Sequence, residues 1–169
     1  TGLSERKETA MYLLGAAAAL FGLDQCLKQL VEGQSPERFP RSMDHTGGRI
    51  KLYRNHNRGF CFEVLKHRPS LVRQLPLCLT SMAGGILCFL SAQKGYRAEK
   101  AGYALVLAGG LSNLYDRLRR GYVVDYFSIQ AGFLKKVVFN LGDLFIMAGA
   151  AVLTVKSLFE NEAGRKTQG

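Results

Sequence analysis

Four apolar blocks, set between strongly basic connectors, constrain this chain more than any other feature. They cover residues 10–31, 70–92, 101–118 and 139–159. An α-helix rises about 1.5 Å per residue, so roughly 20 apolar residues cross the hydrocarbon of a bilayer. The first, second and fourth blocks reach that length unaided. The third is strictly apolar only from Ala101 to Leu111. It spans only if Asn113 and Asp116 lie at membrane depth and face protein. The expected fold is mainly α: one polytopic membrane domain over residues 1–169, with four transmembrane helices.

Lys and Arg outnumber Asp and Glu by 23 to 13, for a formal net charge of +10. That excess suits an anionic partner. No zinc finger, RNP aromatic pair or lone recognition helix is present, so anionic lipid headgroups are expected and nucleic acid is not. Arg6 and Lys7 precede the first apolar run, as in a signal peptide. Asp24, Gln25 and Lys28 follow it in place of a small-residue cleavage site, so it reads as a retained helix. An even number of spans puts both termini on one side. Arg6, Lys7, the basic 93–100 loop, Lys156, Arg165 and Lys166 make that side cytoplasmic under the positive-inside rule.

The 32–69 connector contains Gly33, Pro36, Pro40, Gly47, Gly48 and Pro69. Segment 49–54 alternates charged and apolar residues, which predicts a strand. Phe60 to Val64 predicts a second, with turn chemistry over 55–59. A small sheet on the membrane surface, on the extracytoplasmic side, is expected. A strand is also expected within 121–129. Cys26, Cys61, Cys78 and Cys88 lack CxxC spacing and are expected to be buried as small hydrophobes. His45, His56 and His67 are scattered, so no metal site and no cofactor is expected.

Ionisable groups at the edges of membrane-length segments are costly and usually functional. Asp24 and Lys28 stand at i,i+4 on one helix face. Two readings are open: an ion pair at a helix end with Lys28 snorkelling to the interface, or a polar pair facing a site. Consecutive helices run antiparallel, so the end of the third and the start of the fourth lie at one membrane face. Asp125 and Asp143 can therefore meet there, beside Asn57, Asp24 and Lys28. Two carboxylates in a low-dielectric site share a proton. One can act as general base on a water while the other donates to a carbonyl, which hydrolyses an amide without a metal. The dipole at a helix N-terminus favours the ionised form of Asp143. Simpler readings stand beside this one. Asp116 and Arg117 make a structural charge cluster, Asn113 and Asn140 satisfy helix ends, and Asp143 is an ordinary first-turn acid. A small proton or cation transporter using Asp24, Asp116 and Asp143 is a further alternative, although the chain lacks repeated halves. So is an inactive adaptor of the same fold.

The ordered motifs Asp24-x-x-x-Lys28, His56-Asn57-x-Gly59, Gly109 with Asn113-x-x-Asp116-Arg117, Gly121-Tyr122-Val123-Val124-Asp125-Tyr126 and Phe139-Asn140-x-x-Asp143 resemble those of bacterial lipoprotein signal peptidases (signal peptidase II). The resemblance runs from about residue 10 to 158. It implies a monomeric, four-helix aspartic endopeptidase of the inner membrane. Such an enzyme removes the signal peptide from diacylglyceryl-modified prolipoproteins. By position, Asp125 and Asp143 fall on the catalytic pair. Asn57, Asn113, Arg117, Asn140, Asp24, Lys28, Asp116 and Gly109 fall on positions that shape or support the site. A mobile loop near 119–138 is also implied. The chain departs from the usual pattern at Phe60 and Cys61, where small residues are the rule. Ser112 and Gly142 stand where glycine and alanine are usual.

Overall fold

A computed structural model describes residues 2–59 and 67–166. The apolar blocks form four helices: α1 (Gly2–Glu32), α2 (Pro69–Ser91), α3 (Arg97–Arg119) and α4 (Leu141–Lys166). Between α1 and α2 lie β1 (Arg41–Ser42) and β2 (Ile50–Asn57), and β3 (Val123–Ile129) joins α3 to α4. The expected strand at 49–54 therefore forms, shifted and extended to Asn57. The strand expected over 60–64, with Phe60 and Cys61, lies outside the described residues.

The connector does not build the sheet alone. The order is β1-β2-β3, all antiparallel, so the outer strand comes from the segment after α3. Register places Asn55 opposite Asp125 and Asn57 opposite Val123, with an irregularity between Leu52 and Asn55. Side chains two positions apart share a face, so Asn57 and Asp125 are diagonal neighbours.

Among the described residues, three helices, over Lys7–Glu32, Ser70–Ser91 and Leu141–Glu160, are long and apolar enough to cross a membrane. Their outward faces carry Met11, Leu14, Leu23, Leu30, Leu77, Phe89 and Met147, all exposed. A continuous apolar surface of this kind fits lipid rather than water. The third helix falls short of the expected four spans by composition. Its buried face carries Lys100, Ser112, Asn113, Asp116 and Arg117. Polarity lowers its hydropathy because α3 is the interior helix, packed against α1, α2 and α4.

Cys26, Cys78 and Cys88 are exposed, contrary to the expected burial. They lie on outward helix faces, where an apolar thiol meets lipid as readily as core. Close helix packing falls on α3 and α4. A Cβ on Gly109 would overlap the backbone carbonyl of Gly142, and one on Gly149 would run into Gly102 and Val106. These two glycine pairs lie one heptad apart and let the helix backbones touch. That contact brings the first turn of α4 against the polar end of α3. The end of α1 is fixed by Val31, Val124 and Tyr126, with Leu27, Phe39 and Leu141 around them.

Candidate active site

The N-terminus of α4 is built by Asn140. Its Oδ1 accepts the Asp143 N–H at 2.9 Å, while Asp143 Oδ2 accepts the Asn140 N–H at 3.1 Å. This reciprocal pairing is a capping box, which satisfies helix-end donors that would otherwise be orphaned. The remaining Nδ2 of Asn140 donates to Asp125 Oδ1 at 2.7 Å. One amide thus holds both aspartates. It can reach Asp125 because Phe139, the preceding residue, bridges to Phe127 of β3 by hydrogen bonds of 2.7 and 3.0 Å.

Each carboxylate receives a second amide. Asn57 Nδ2 donates to Asp125 Oδ2 at 3.1 Å, with its own Oδ1 fixed by the Gly59 N–H at 2.9 Å. Asn113 Nδ2 donates to Asp143 Oδ1 at 2.8 Å. Asn113 Oδ1 accepts from Lys28 Nζ at 2.8 Å. An ammonium only donates, so Lys28 decides which end of the amide faces Asp143. Arg117 donates to the carbonyls of Gly59, at 3.0 Å, and Asn113, at 3.2 Å.

Behind this pair lies a buried ionic cluster. Lys28 and Asp24 are 2.9 Å apart, Lys28 and Asp116 3.1 Å, and all three side chains are wholly buried. The snorkelling alternative for Lys28 is therefore overturned, because its charge is compensated inside the protein. Asp116 also pairs with Arg120 and accepts the Val124 N–H at 3.1 Å. The charge cluster expected around Asp116 and Arg117 thus draws its cations for Asp116 from Lys28 and Arg120. Asp24 Oδ1 accepts from the Tyr126 hydroxyl at 2.9 Å and the Leu141 N–H at 3.1 Å. Asp24 Oδ2 accepts from Ser112 Oγ at 2.5 Å. Gln25 Nε2 donates to Ser112 Oγ at 2.9 Å and to Asp116 Oδ1 at 3.1 Å.

Ser112, Gln25, Arg120 and Tyr126 were absent from the expected site. The i,i+4 spacing of Asp116 and Arg120 is a readable signal for one of them. Tyr126 closes one of the quoted motifs, but nothing local marks its role, since its partners arrive from α1 and α4. Gly109 makes its contribution by packing, since it admits the backbone of Gly142.

Asp125 and Asp143 stand together in the wall of a cavity of about 440 Å³, with Asn57, Asn113 and Arg117 beside them. The rest of that wall is mostly apolar and comes from α2, α3 and α4, including Ala83, Ile86, Val106 and Ile146. Burial pushes the Asp125 carboxyl up to about 7, with the charge of Asp143 adding to the effect against the amides of Asn57 and Asn140. Burial and the neighbouring charge of Asp24 raise the Tyr126 phenol well above its ordinary range, so it stays a neutral donor. Among the described residues no group of three or more His, Cys, Asp or Glu side chains could hold a metal. The arrangement offers a carboxyl that titrates near neutrality beside a second carboxylate, at the head of an apolar cavity.

Comparison with known proteins gives a consistent result. A family model described as Signal peptidase (SPase) II matches residues 16–159. The lipoprotein signal peptidase of Xylella fastidiosa (strain M12) is 32% identical over 160 residues, covering 94% of this chain and 95% of that protein. The lipoprotein signal peptidase of Aquifex aeolicus (strain VF5) is 32% identical over 161 residues, covering 93% and 92%. A bacterial membrane enzyme solved by the in meso method shares the fold at a TM-score of 0.73 and 18% identity, covering 91% of this chain and 90% of its own. These likenesses favour a peptidase over the transporter and adaptor readings.

Proposed function

From the premise that this chain belongs to the signal peptidase II family, whose members cleave signal peptides from prolipoproteins, we propose that it does so as an aspartic endopeptidase with Asp125 and Asp143 as the catalytic pair. The observation that carries this reading is Asn140. It caps α4 through Asp143 and donates to Asp125, and so holds both carboxyls at the head of one cavity.

The mechanism follows from that geometry. Asp143, ionised, takes a proton from a water set between the carboxyls. The water oxygen attacks the scissile carbonyl carbon while Asp125 gives its proton to the carbonyl oxygen. The tetrahedral intermediate collapses as Asp143 returns its proton to the leaving nitrogen, and Asp125 recovers one from a geminal hydroxyl. The peptide is cut and the pair ends as it began. Asn57, Asn113 and Asn140 keep the carboxylates in place, and Arg117 anchors the connector at Gly59. Asp24, Lys28 and Asp116 hold α1, α3 and the start of β3 beneath them.

The substrate is a diacylglyceryl-modified prolipoprotein. Its acyl chains stay beside the apolar wall formed by α2, α3 and α4. The enzyme works as a monomer of four spans in the bacterial inner membrane, with α3 crossing as the interior helix. Both termini are cytoplasmic and the sheet is extracytoplasmic, where its basic connector meets anionic headgroups.

Asp125→Asn and Asp143→Asn test the pair. Each should lower cleavage of a diacylated prolipoprotein by about 10²–10⁴-fold or more, with thermal unfolding and lipopeptide binding retained. Cleavage at the unmodified rate by both variants would falsify the aspartic mechanism.

A further inference from the structure

Ser112 is wholly buried and lies outside the wall of the cavity, so it touches no substrate. Its hydroxyl nonetheless sits at a junction. It donates to Asp24 Oδ2 at 2.5 Å and accepts from Gln25 Nε2 at 2.9 Å and Lys28 Nζ at 3.2 Å. Asp24 in turn holds the start of α4. Its Oδ1 accepts the Leu141 N–H at 3.1 Å, and the Tyr126 hydroxyl at 2.9 Å. A carboxylate at a helix N-terminus fixes that terminus by hydrogen bond and by dipole. The terminus here carries Asn140 and Asp143.

The same carboxylate limits the neighbouring position. A Cβ on Gly142 would stand 3.0 Å from Asp24 Oδ2, 3.0 Å from Asn140 Oδ1 and 3.2 Å from the Gly109 carbonyl oxygen. Those separations are too tight for an ordinary methyl contact, so one of the three neighbours must give way. Gly109 cannot retreat, because its backbone is already packed on α4. Asp24 is held where it is by Ser112 and Lys28 on Oδ2 and by Tyr126 and Leu141 on Oδ1. The displacement would then fall on Asn140, the amide that bridges the two aspartates.

We propose that Ser112 is a positioning residue for the aspartate pair, acting through Asp24 on the first turn of α4, and that it is coupled to Gly142. This rests on the assignment of Asp125 and Asp143 as the catalytic pair. Loss of the hydroxyl leaves Asp24 still bound by Lys28, Tyr126 and Leu141, so the fold should survive while the first turn of α4 loosens.

The test is a double-mutant cycle on the full-length enzyme in detergent or bilayer, with a diacylated prolipoprotein as substrate. Thermal unfolding is recorded for every variant. Ser112→Ala should lower kcat roughly tenfold, the scale of one hydrogen bond to a charged group, with KM unmoved. Gly142→Ala should lower kcat as well. Ser112→Gly removes one of the two partners of Asp24 Oδ2 and opens space beside it, so that oxygen can yield to a methyl at 142, and the Ser112→Gly, Gly142→Ala double variant should be faster than Gly142→Ala alone. A wild-type kcat for Ser112→Ala, a change confined to KM, or rate effects that multiply independently in the double variant would overturn the proposal. So would a Ser112→Ala protein that does not fold, since the residue would then be structural only. Asp125→Asn and Asp143→Asn serve as controls. If they still cleave, the catalytic assignment fails, whereas their inactivity beside an unaffected Ser112→Ala refutes this inference alone.

Discussion

Four aspartates converge at one end of the bundle, and they are held in two different ways. Asp24 and Asp116 face Lys28 at 2.9 and 3.1 Å, and Asp116 also pairs with Arg120. Asp125 and Asp143 receive the side-chain amides of Asn57, Asn113 and Asn140. A carboxylate against a cation is committed to an ion pair and anchors the elements that carry the two charges. One held by neutral amides beside a second acid can share a proton with it. The same residue type thus serves as scaffold on one side and, in the mechanism proposed above, as chemistry on the other, and the partner makes the difference. Asn113 joins the two regions, with its oxygen on Lys28 and its amide on Asp143.

The comparison breaks most severely at Lys28. Removing one partner of a buried ion pair strands the other charge: Lys28→Met leaves Asp24 without its ion-pair partner, while Asp116 keeps Arg120. The substitution should destabilise the protein by about 3–5 kcal/mol, measured by thermal or denaturant unfolding in detergent. Asp125→Asn, which removes a carboxyl held by neutral amides, should leave stability equal or higher. Equal melting of Lys28→Met and the unmodified protein would show that the cluster is not the scaffold.

Acidity sharpens the contrast next. The folded-state value for Asp125 is raised from the ordinary carboxylate range to about 7. Between those limits the folded protein binds a proton that the unfolded chain does not. The stability contributed by that proton is fully present at low pH and is lost as pH rises through about 7. Cleavage that needs the protonated carboxyl should hold through that interval and fall as pH passes about 7, where the folded protein loses the proton. Rate and unfolding profiles should show both slopes, and the stability slope should flatten in Asp125→Asn. A rate that keeps rising well above neutrality would remove Asp125 from the role of acid.

The smallest effect is expected at Glu32, where a carboxylate and its cations meet water. Glu32 accepts from Arg54 at 3.2 Å and from the Tyr122 hydroxyl at 3.1 Å, and His56 Nε2 lies 2.8 Å away. Its side chain and that of Arg54 are partly exposed, so solvent screens the pair. Glu32→Gln should cost less than about 1 kcal/mol and leave the cleavage rate unchanged. A loss comparable to that of Lys28→Met would mean that burial is not what separates structural from incidental ion pairs here.

Much of this was legible in the chain. Helix formation is local, so block length and composition located all four helices, but α1 begins at Gly2 and α4 runs to Lys166, well outside the apolar blocks at 10–31 and 139–159. The motifs pointed to Asp125 and Asp143, and antiparallel succession of α3 and α4 explained how residues far apart in sequence could meet. Ser112 read only as a departure from a pattern, because its three partners lie on α1. Cys26, Cys78 and Cys88 were misjudged for a related reason. Apolar surroundings in sequence do not tell a face turned to lipid from one turned to protein.

What the sequence determined by itself was the set of segments, their order, the acidic residues with catalytic potential and the family. Each depends on neighbours along the chain. Tertiary structure alone decided that β3 would complete the sheet, that α3 would be the interior helix and that Lys28 would be buried. It also decided which end of Asn113 faces Asp143. Those outcomes rest on charges and amides brought together from different elements, and a buried polar group takes its orientation from whichever partner packing supplies.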